Sequence, residues 1–567
     1  MLLNEFSVIF DRPEKVKKLR EYILSLAVRG KLVEQDENDE PASVLLERIR
    51  EEKDRLVKEK KIKKEKALPE INEDEILHEL PKDWVWVRLG ELGNIFNGNS
   101  INAKLKESKY SNLKEGYNYI ATKDVDLQSR TINYENGIKI PYDEEKFRIA
   151  HEGAILICAE GGSAGKKIGL VEEDICFGNK LLAIELFYET NSKYLFYLYQ
   201  SPDFYERFSE LMTGIIGGIS SKNFKEILVS LPPLKEQKRI VEKVDYLMEF
   251  CDKLEIQLEK KVKYGSLSAK SVLNGVSNCS SYEELEEALK FIIENFKDLT
   301  LVDGAITELK NAILSLAVKG KLVHQDEDDE PASMLLERIR EEKDRLVKEK
   351  KIKKEKPLPE ISVDEIPYEL PKGWEWARLN DICSLITDGT HSTPKYTESG
   401  VPFLSVKDLS KGFIDFSNTR FISEEEHELL TKRCNPQYGD ILLTKVGTTG
   451  IAKWIDTDNQ FSIFVSVALL KIFNEYIDSI FLEKLINSPL VKKQSQENTQ
   501  GVGNKNLVLK CIKNFIIPIP PLNEQKRIVK RIDVLLQLCD ELELRIQKNK
   551  KYSEKIMESI FKDSLKA

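Results

Sequence analysis

The chain is poor in the residues on which most metal and thiol chemistry depends. Its 567 residues include five histidines and eight cysteines. Cys158, Cys176, Cys251, Cys279, Cys383, Cys434, Cys511 and Cys539 never form a Cys-x-x-Cys pair, so no zinc-ligand spacing is offered and a redox dithiol is excluded. They read as reduced, mostly buried thiols. Aromatic residues are scarce at 8%, against 32% charged residues, which places part of the mass in solvated helices. No segment approaches ~18 uninterrupted apolar residues, and the opening "MLLNEFSVIFDRPEK" lacks a basic lead before an apolar run. A soluble, cytoplasmic protein with no membrane partner is expected. Positive charge is not in excess either. A formal net charge of -9 has the wrong sign for a simple basic nucleic-acid binder, although the sum is silent about a local basic stripe.

What the chain has is itself, twice. A chain of this length divides into roughly three or four domains. Here "ILSLAVRGKLVEQDENDEPASVLLERIREEKDRLVKEKKIKKEK" runs from Ile23 to Lys66 and returns from Ile313 to Lys356 with four changes in 44 residues. "LPKDWVWVRL" at Leu80 returns as "LPKGWEWARL" at Leu370, and "LPPLKEQKRIVEKVD" at Leu231 as "IPPLNEQKRIVKRID" at Ile519. Two copies of one unit fill the protein.

Each copy follows one order. An apolar opening helix, about Glu14 to Val28 and about Val302 to Val318, leads through an acidic break to a Lys/Glu-rich helix over 43–66 or 333–356. A body mixing short β-branched runs with turns comes next, and a closing helix ends the unit. The boundaries read from this are a helical region 1–81, a body 82–230, a central spacer with an insert 231–371, a second body 372–518 and a C-terminal spacer 519–567. Leu45, Leu46, Ile49, Leu56 and Val57 give the Lys/Glu-rich helix only a thin apolar stripe. It reads as a solvated rod, with Lys58, Lys60, Lys61, Lys63 and Lys64 available to phosphates or to a partner.

The closing helices, predicted over Leu234 to about Tyr264 and Leu522 to Leu565, carry the strongest period. Val244, Leu247, Cys251, Leu254 and Leu258 step by 3, 4, 3, 4, and Ile532, Leu535, Cys539, Leu542 and Ile546 repeat that seam; these are coiled-coil seams. Pro232, Pro233, Pro520 and Pro521 stand where a helix can start but not extend backwards. The first closing helix leads through an insert (265–300) into the second opening helix. The last one has no such continuation, so the N-terminal helix must supply the equivalent. The resulting fold class is α+β: two similar α/β globules joined and separated by long antiparallel coiled-coil helices, in a pseudo-twofold circular repeat.

Enzyme motifs fail in detail. "NPQY" at Asn435 to Tyr438 is one mismatch from a base-holding methyltransferase motif, yet it makes a turn into a strand, has no counterpart in the first body, and no glycine-rich S-adenosylmethionine loop accompanies it. "EGGSAGKK" at Glu160 to Lys167 is one residue short of a phosphate-binding loop and has lysine where Ser or Thr is needed. His391 has no partner nucleophile. What the two bodies share is three matched polar loops suited to phosphate and base-edge contacts. They carry Asn99, Lys104 and Lys106, or His391, Ser392, Thr393 and Lys395; Ser163, Lys166 and Lys167, or Thr448, Thr449 and Lys453; and Ser221, Lys222 and Asn223, or Asn504, Lys505 and Asn506. Solvated turns explain the same composition. Trp84, Trp86, Trp374 and Trp376 read as core anchors of each body's first strand, both indoles on one face, rather than as stacking platforms.

Two unlike bodies, each led into by Trp-x-Trp and left through Pro-Pro-Leu-x-Glu-Gln-Lys-Arg-Ile-Val, with coiled-coil spacers in a circular repeat, resemble the DNA-specificity subunit of a type I restriction-modification system. The resemblance covers nearly the whole chain. It implies that each body is a target recognition domain for half of a split, asymmetric site in double-stranded DNA. It also implies spacers that set the gap and bind two modification (methyltransferase) subunits, with restriction subunits joining those. S-adenosylmethionine, ATP and Mg would then sit on the partners, with no cofactor or metal on this non-catalytic chain. A closing helix of about 30 residues spans roughly 45 Å, about 13 base pairs. Residues 83–226 hold 17 Lys/Arg and 21 Asp/Glu, so DNA affinity would lean on the bound subunits. A coiled-coil scaffold with two adaptor domains and no DNA contact is the rival reading.

Overall fold

The computed structural model describes residues 2–566 apart from 77, 112, 189, 215–216, 278, 280–281, 295–303 and 502–504. Two compact units result, Met1–Lys261 with Lys551–Ala567, and Val262–Lys550. Among the described residues no helix is long and apolar enough to cross a membrane.

In the first unit the opening helix Glu14–Val28 buries Val16, Leu19, Ile23, Leu24 and Ala27. It stops at Gly30, whose φ of 69° and whose absent side chain, 2.4 Å from Pro81 if one were built, leave room only for glycine. The next helix, Ala42–Lys58, starts after Pro41 and buries Ala42, Leu45, Leu46 and Ile49. It ends eight residues before the predicted Lys66: Lys60 turns into the left-handed region at φ 58°, and Ile62 folds back onto the core beside Leu56. An extended strap follows. The Arg88 guanidinium pins it, donating to the carbonyls of Pro69 and Glu70 and to Glu75.

The body is built on the ribbon Val85–Arg88 against Leu228–Leu231, antiparallel, with Val85 opposite Leu231. Trp84 precedes this strand rather than lying in it and is 5% exposed, while Trp86 is half-buried under the Arg207 guanidinium. A four-stranded antiparallel sheet carries the core in the order Gly93–Asn97, Leu181–Leu186, Ile155–Cys158, Ile168–Leu170. A second sheet orders Lys139–Ile140, Tyr117–Ile120, Ile175–Phe177 and Ile149–Ala150. Helices Ser192–Gln200 and Pro202–Glu210 follow the long central strand.

The exit motif turns out to be a staple. The Glu236 carboxylate accepts the Trp84 indole N-H at 2.9 Å and the Gln35 amide at 2.7 Å. The Gln237 amide donates to the Pro232 carbonyl and accepts the Asn191 N-H, and Arg239 pairs with Asp39. Glu236, Gln237 and Arg239 of the exit motif thus meet Trp84, Gln35, Pro232 and Asp39, all within the duplicated sequence, which ties the exit motif to the entry and to the acidic break.

The closing helix spans Leu234–Ser277, not ending near Tyr264; at ~1.5 Å per residue its 44 residues cover about 66 Å, longer than the 45 Å expected. Val244, Cys251 and Leu258 are buried, and Leu247 and Leu254 half-buried, in the cluster that contains the opening helix. Arg20 bridges to Asp252 and Glu255. The last turns of the chain join the same cluster: Tyr22 stacks on Phe561 at 4.0 Å, and Lys15 donates to Ser553. Here the circular repeat closes, N-terminal helix against C-terminal helix.

The second unit repeats the plan. Its opening helix is Ala305–Val318, the predicted 302–303 lying outside the described residues, and Ala332–Lys348 follows. The ribbon pairs Glu375–Arg378 with Ile516–Ile519. The core sheet runs Cys383–Asp388, Val467–Ile472, Ile441–Thr444, Ala452–Trp454. Trp374 and Gln325 donate to Glu524, and Trp376 is half-buried against Tyr368. Part of the insert at 265–300 is helix: residues 265–277 continue the first closing helix, and Tyr282–Glu294 forms another. The second closing helix is Leu522–Lys566. Its Ile532, Leu535, Cys539 and Leu542 are buried and Ile546 half-buried, with Lys310 bridging to Asp540 and Glu543.

Candidate nucleic-acid interface

Strand direction brings the three loops of each body together. In the first body, Gly93–Asn97 and Ile155–Cys158 both run against Leu181–Leu186, so Asn97 ends opposite Leu182 and Cys158 opposite Leu181. The chain therefore leaves both strands at one end of the sheet. In the second body Asp388 ends opposite Ala468 and Thr444 opposite Val467. The third loop is laced to the second by backbone: Gly161 donates to Gly217 and Ile219 to Ala159, as Gly447 donates to Lys505 and Leu507 to Lys445. Gly98 and Gly389 sit where a side-chain carbon would come within 2.0 and 1.9 Å of the Phe177 and Ile463 carbonyl oxygens. One frame, used twice, presents unlike side chains.

In the first body the amides of Asn99 and Asn223 are occupied internally. Asn99 accepts from the Arg148 N-H and donates to the Lys146 carbonyl, and Asn223 donates to the Leu211 carbonyl. Lys106 lies over the Tyr119 ring, 5.4 Å from its centre, and Lys104 is exposed. The Ser163 carbonyl closes the turn by accepting the Lys166 N-H. Lys166 is exposed above Tyr205, while Lys167 donates to the Thr122 carbonyl at 2.9 Å. Ser221 opens the helix Ser221–Glu226, and Lys222 points outward, 3.9 Å from Glu226. Arg130, absent from the sequence-based set, donates to the Lys166 carbonyl, which adds a third cation beside Lys166 and Lys167.

In the second body a buried carboxylate organises the loops. Asp388, 2% exposed, accepts from Lys445 at 2.9 Å and from Arg433 at 2.6 Å, and lies 3.2 Å from the His391 Nε2. Burial opposes its charge, yet the Lys445 ammonium, and His391 behind it, hold its carboxyl below the ordinary aspartate range. His391, Ser392, Thr393, Lys395, Thr448 and Lys505 are exposed. Thr449 shares a hydrogen bond with Thr499. Lys453 lies apart in the strand Ala452–Trp454, its ammonium occupied by Glu483. The side chain of Asn506 is half-buried, and Asn504 lies outside the described residues. Asp388, Arg433 and Lys445 were missed by sequence reasoning; the lysine placed directly after an apolar strand in "ILLTKVG" was the available signal. No group of His, Cys, Asp and Glu that could hold a metal forms among the described residues.

The type I restriction modification DNA specificity domain matches residues 81–264 and again residues 371–550. The chain belongs to that family. It is 33% identical over 568 residues to the type I restriction enzyme EcoAI specificity subunit of Escherichia coli, covering 94% of this chain and 91% of that one. To the EcoEI specificity subunit of the same organism it is 32% identical with the same coverage. Among solved structures, the HsdS subunit from Thermoanaerobacter tengcongensis is 18% identical with a TM-score of 0.41, covering 87% of this chain and 98% of that chain.

Proposed function

We propose that this chain is the specificity subunit of a type I restriction-modification complex, each body reading one half of a bipartite, asymmetric site in double-stranded DNA. The observation that carries this is the matched gathering of three loops at one sheet end in both bodies, on the same backbone frame but with different side chains. Positions that are free to vary on a fixed frame are what base reading requires, because bases differ between half-sites while the approach to the groove does not. Lys104, Lys106, Ser163, Lys166, Lys167, Ser221 and Lys222 face the first half-site, with Asn99 and Asn223 shaping their loops. His391, Ser392, Thr393, Lys395, Thr448, Thr449, Lys505 and Asn506 face the second; Lys453 supports its strand. The long helices fix the unread gap and dock two modification subunits, to which restriction subunits attach. The chain is non-catalytic, and S-adenosylmethionine, ATP and Mg belong to those partners. The reactions themselves take place in the cytoplasm.

The test is an exchange. Residues 82–230 are replaced by the corresponding body of another family member, and the methylated sequence is read. One half-site should change and the other stay. A change in both halves, or in neither, refutes modular reading.

A further inference from the structure

In each body an arginine from a fourth segment, the stretch leading into the inner strand of the core sheet, reaches the sheet end where the loops gather. In the first body Arg148 donates from Nη1 to the Asn97 carbonyl at 3.2 Å, and its own backbone N-H is held by the Asn99 side chain at 2.9 Å. In the second, Arg433 donates from Nη2 to the Asp388 carboxylate at 2.6 Å, and its Nη1 lies 3.5 Å from the Gly389 carbonyl. Asn97 and Asp388 are the last residues of equivalent strands, at the end from which the first loop departs. These contacts fix both guanidinium groups beside the gathered loops. The two lead-in segments, "EKFRIAHEG" and "TKRCNPQYG", differ at most positions, yet both deliver an arginine to the same place.

The fold leaves most of each guanidinium unused. Both arginines are exposed. Arg148 pairs with no carboxylate among the described residues. Arg433 shares Asp388 with Lys445, whose buried ammonium lies 2.9 Å from the same carboxylate, so one negative charge faces two permanent cations and the outer one keeps its charge. A guanidinium has five N-H donors. At most two are occupied in either body, and the groups beneath fix the direction of the rest. In the major groove guanine alone presents two acceptors, O6 and N7, spaced for such a fork. Phosphate accepts a fork too, but a carboxylate directly behind Arg433 weakens its pull on an anion while still aiming its donors. That arrangement favours a neutral acceptor pair.

We propose that Arg148 and Arg433 are the guanine readers of the two bodies, each donating to O6 and N7 of one guanine in its half-site. This rests on the reading that the loops face DNA. The test uses the full chain in complex with its modification subunits, and duplexes carrying the methylated sequence in which each guanine in turn is replaced by 7-deazaguanine, which lacks the N7 acceptor. With the unaltered complex, one replacement in each half-site should weaken binding by more than about fivefold. Arg433→Ala should abolish that sensitivity in the second half-site alone, and Arg148→Ala in the first alone. Each variant should also lose the preference for that G·C pair over A·T, about 5- to 150-fold. The Asp388–Lys445 pair survives in Arg433→Ala, so its melting temperature should stay within about 2 °C of the parent; the analogue series on the unaltered chain needs no variant at all. Equal weakening on every duplex, with a slope of log affinity against log salt shallower by about 1, would make the arginine a phosphate contact and overturns the proposal. So does 7-deazaguanine without effect at every position, or a half-site that contains no G·C pair. If the unaltered complex binds all duplexes alike, the specificity reading fails as well, whereas sequence preference left intact by both arginine variants sinks only the assignment of the arginines.

Discussion

Replacing Asp388 with alanine removes the carboxylate on which the second body's loops converge. The residue is 2% exposed and Lys445 is 5% exposed, so the variant leaves a buried ammonium with no counter-charge, 57 residues away in sequence. Breaking one side of a buried pair costs about 3–5 kcal/mol. Asp388→Asn keeps the shape and one acceptor and should cost less, about 1.5–3 kcal/mol. On a unit of this size, ~2–4 °C per kcal/mol converts the alanine cost into a fall of about 6–20 °C in the transition of the second unit. Hydrogen exchange at residues 388–395 and 445–450 should quicken, because Arg433, His391 and Lys445 lose their common anchor. Sequence reading should fail at the second half-site only. The sign with pH follows from the lowered carboxyl: the contribution is present above the ordinary aspartate value of 3.8 and is lost as pH falls through the folded value below it. An alanine variant within about 0.5 kcal/mol of the parent, with both half-sites intact, would refute the reasoning.

Glu236→Ala removes the acceptor of the Trp84 indole and the Gln35 amide, leaving a buried N-H unpaired. A loss of about 1–3 kcal/mol in chemical denaturation is expected, and the same for Glu524→Ala in the second unit. Acid should release the first strap: hydrogen bonding from Arg88, and then from the Asn72 backbone, holds the Glu75 carboxyl below its ordinary 4.5. Its contribution is therefore full above that value and lost as pH falls through the lower folded one, and limited proteolysis near residues 67–76 should accelerate there. Alkylation of the native chain at neutral pH should mark Cys511 first. It is half-buried and the other seven cysteines are buried, with burial raising the Cys251 and Cys539 thiols to about 11. Earlier labelling of Cys251 or Cys539 would mean that the seams open in solution.

The seams were legible because their steps of 3 and 4 report one helix face directly, and the proline pairs fixed where those helices start. The end of the Lys/Glu-rich helix was not. Lysine and glutamate continue to favour helix through Lys66, and the stop comes from Ile62 folding back on the core after a left-handed Lys60, a tertiary effect. The helix beyond Tyr264 was hidden for the opposite reason: "GSLSAKS" is weak in helix propensity, yet the helix runs through it. At the loops, composition pointed to segments that the sheet gathers at one end, but it could not tell which side chains are free. Asn99 and Asn223 are bonded within the fold, and the Asp388 cluster draws on three segments that only the sheet brings together.

The most direct measurement is a footprint of the chain with its modification subunits on DNA carrying the methylated sequence. Two short protected blocks flanking an unprotected gap, with the second block alone lost in Asp388→Ala, is the predicted result. Continuous protection, or a single block that both bodies share, would contradict the account.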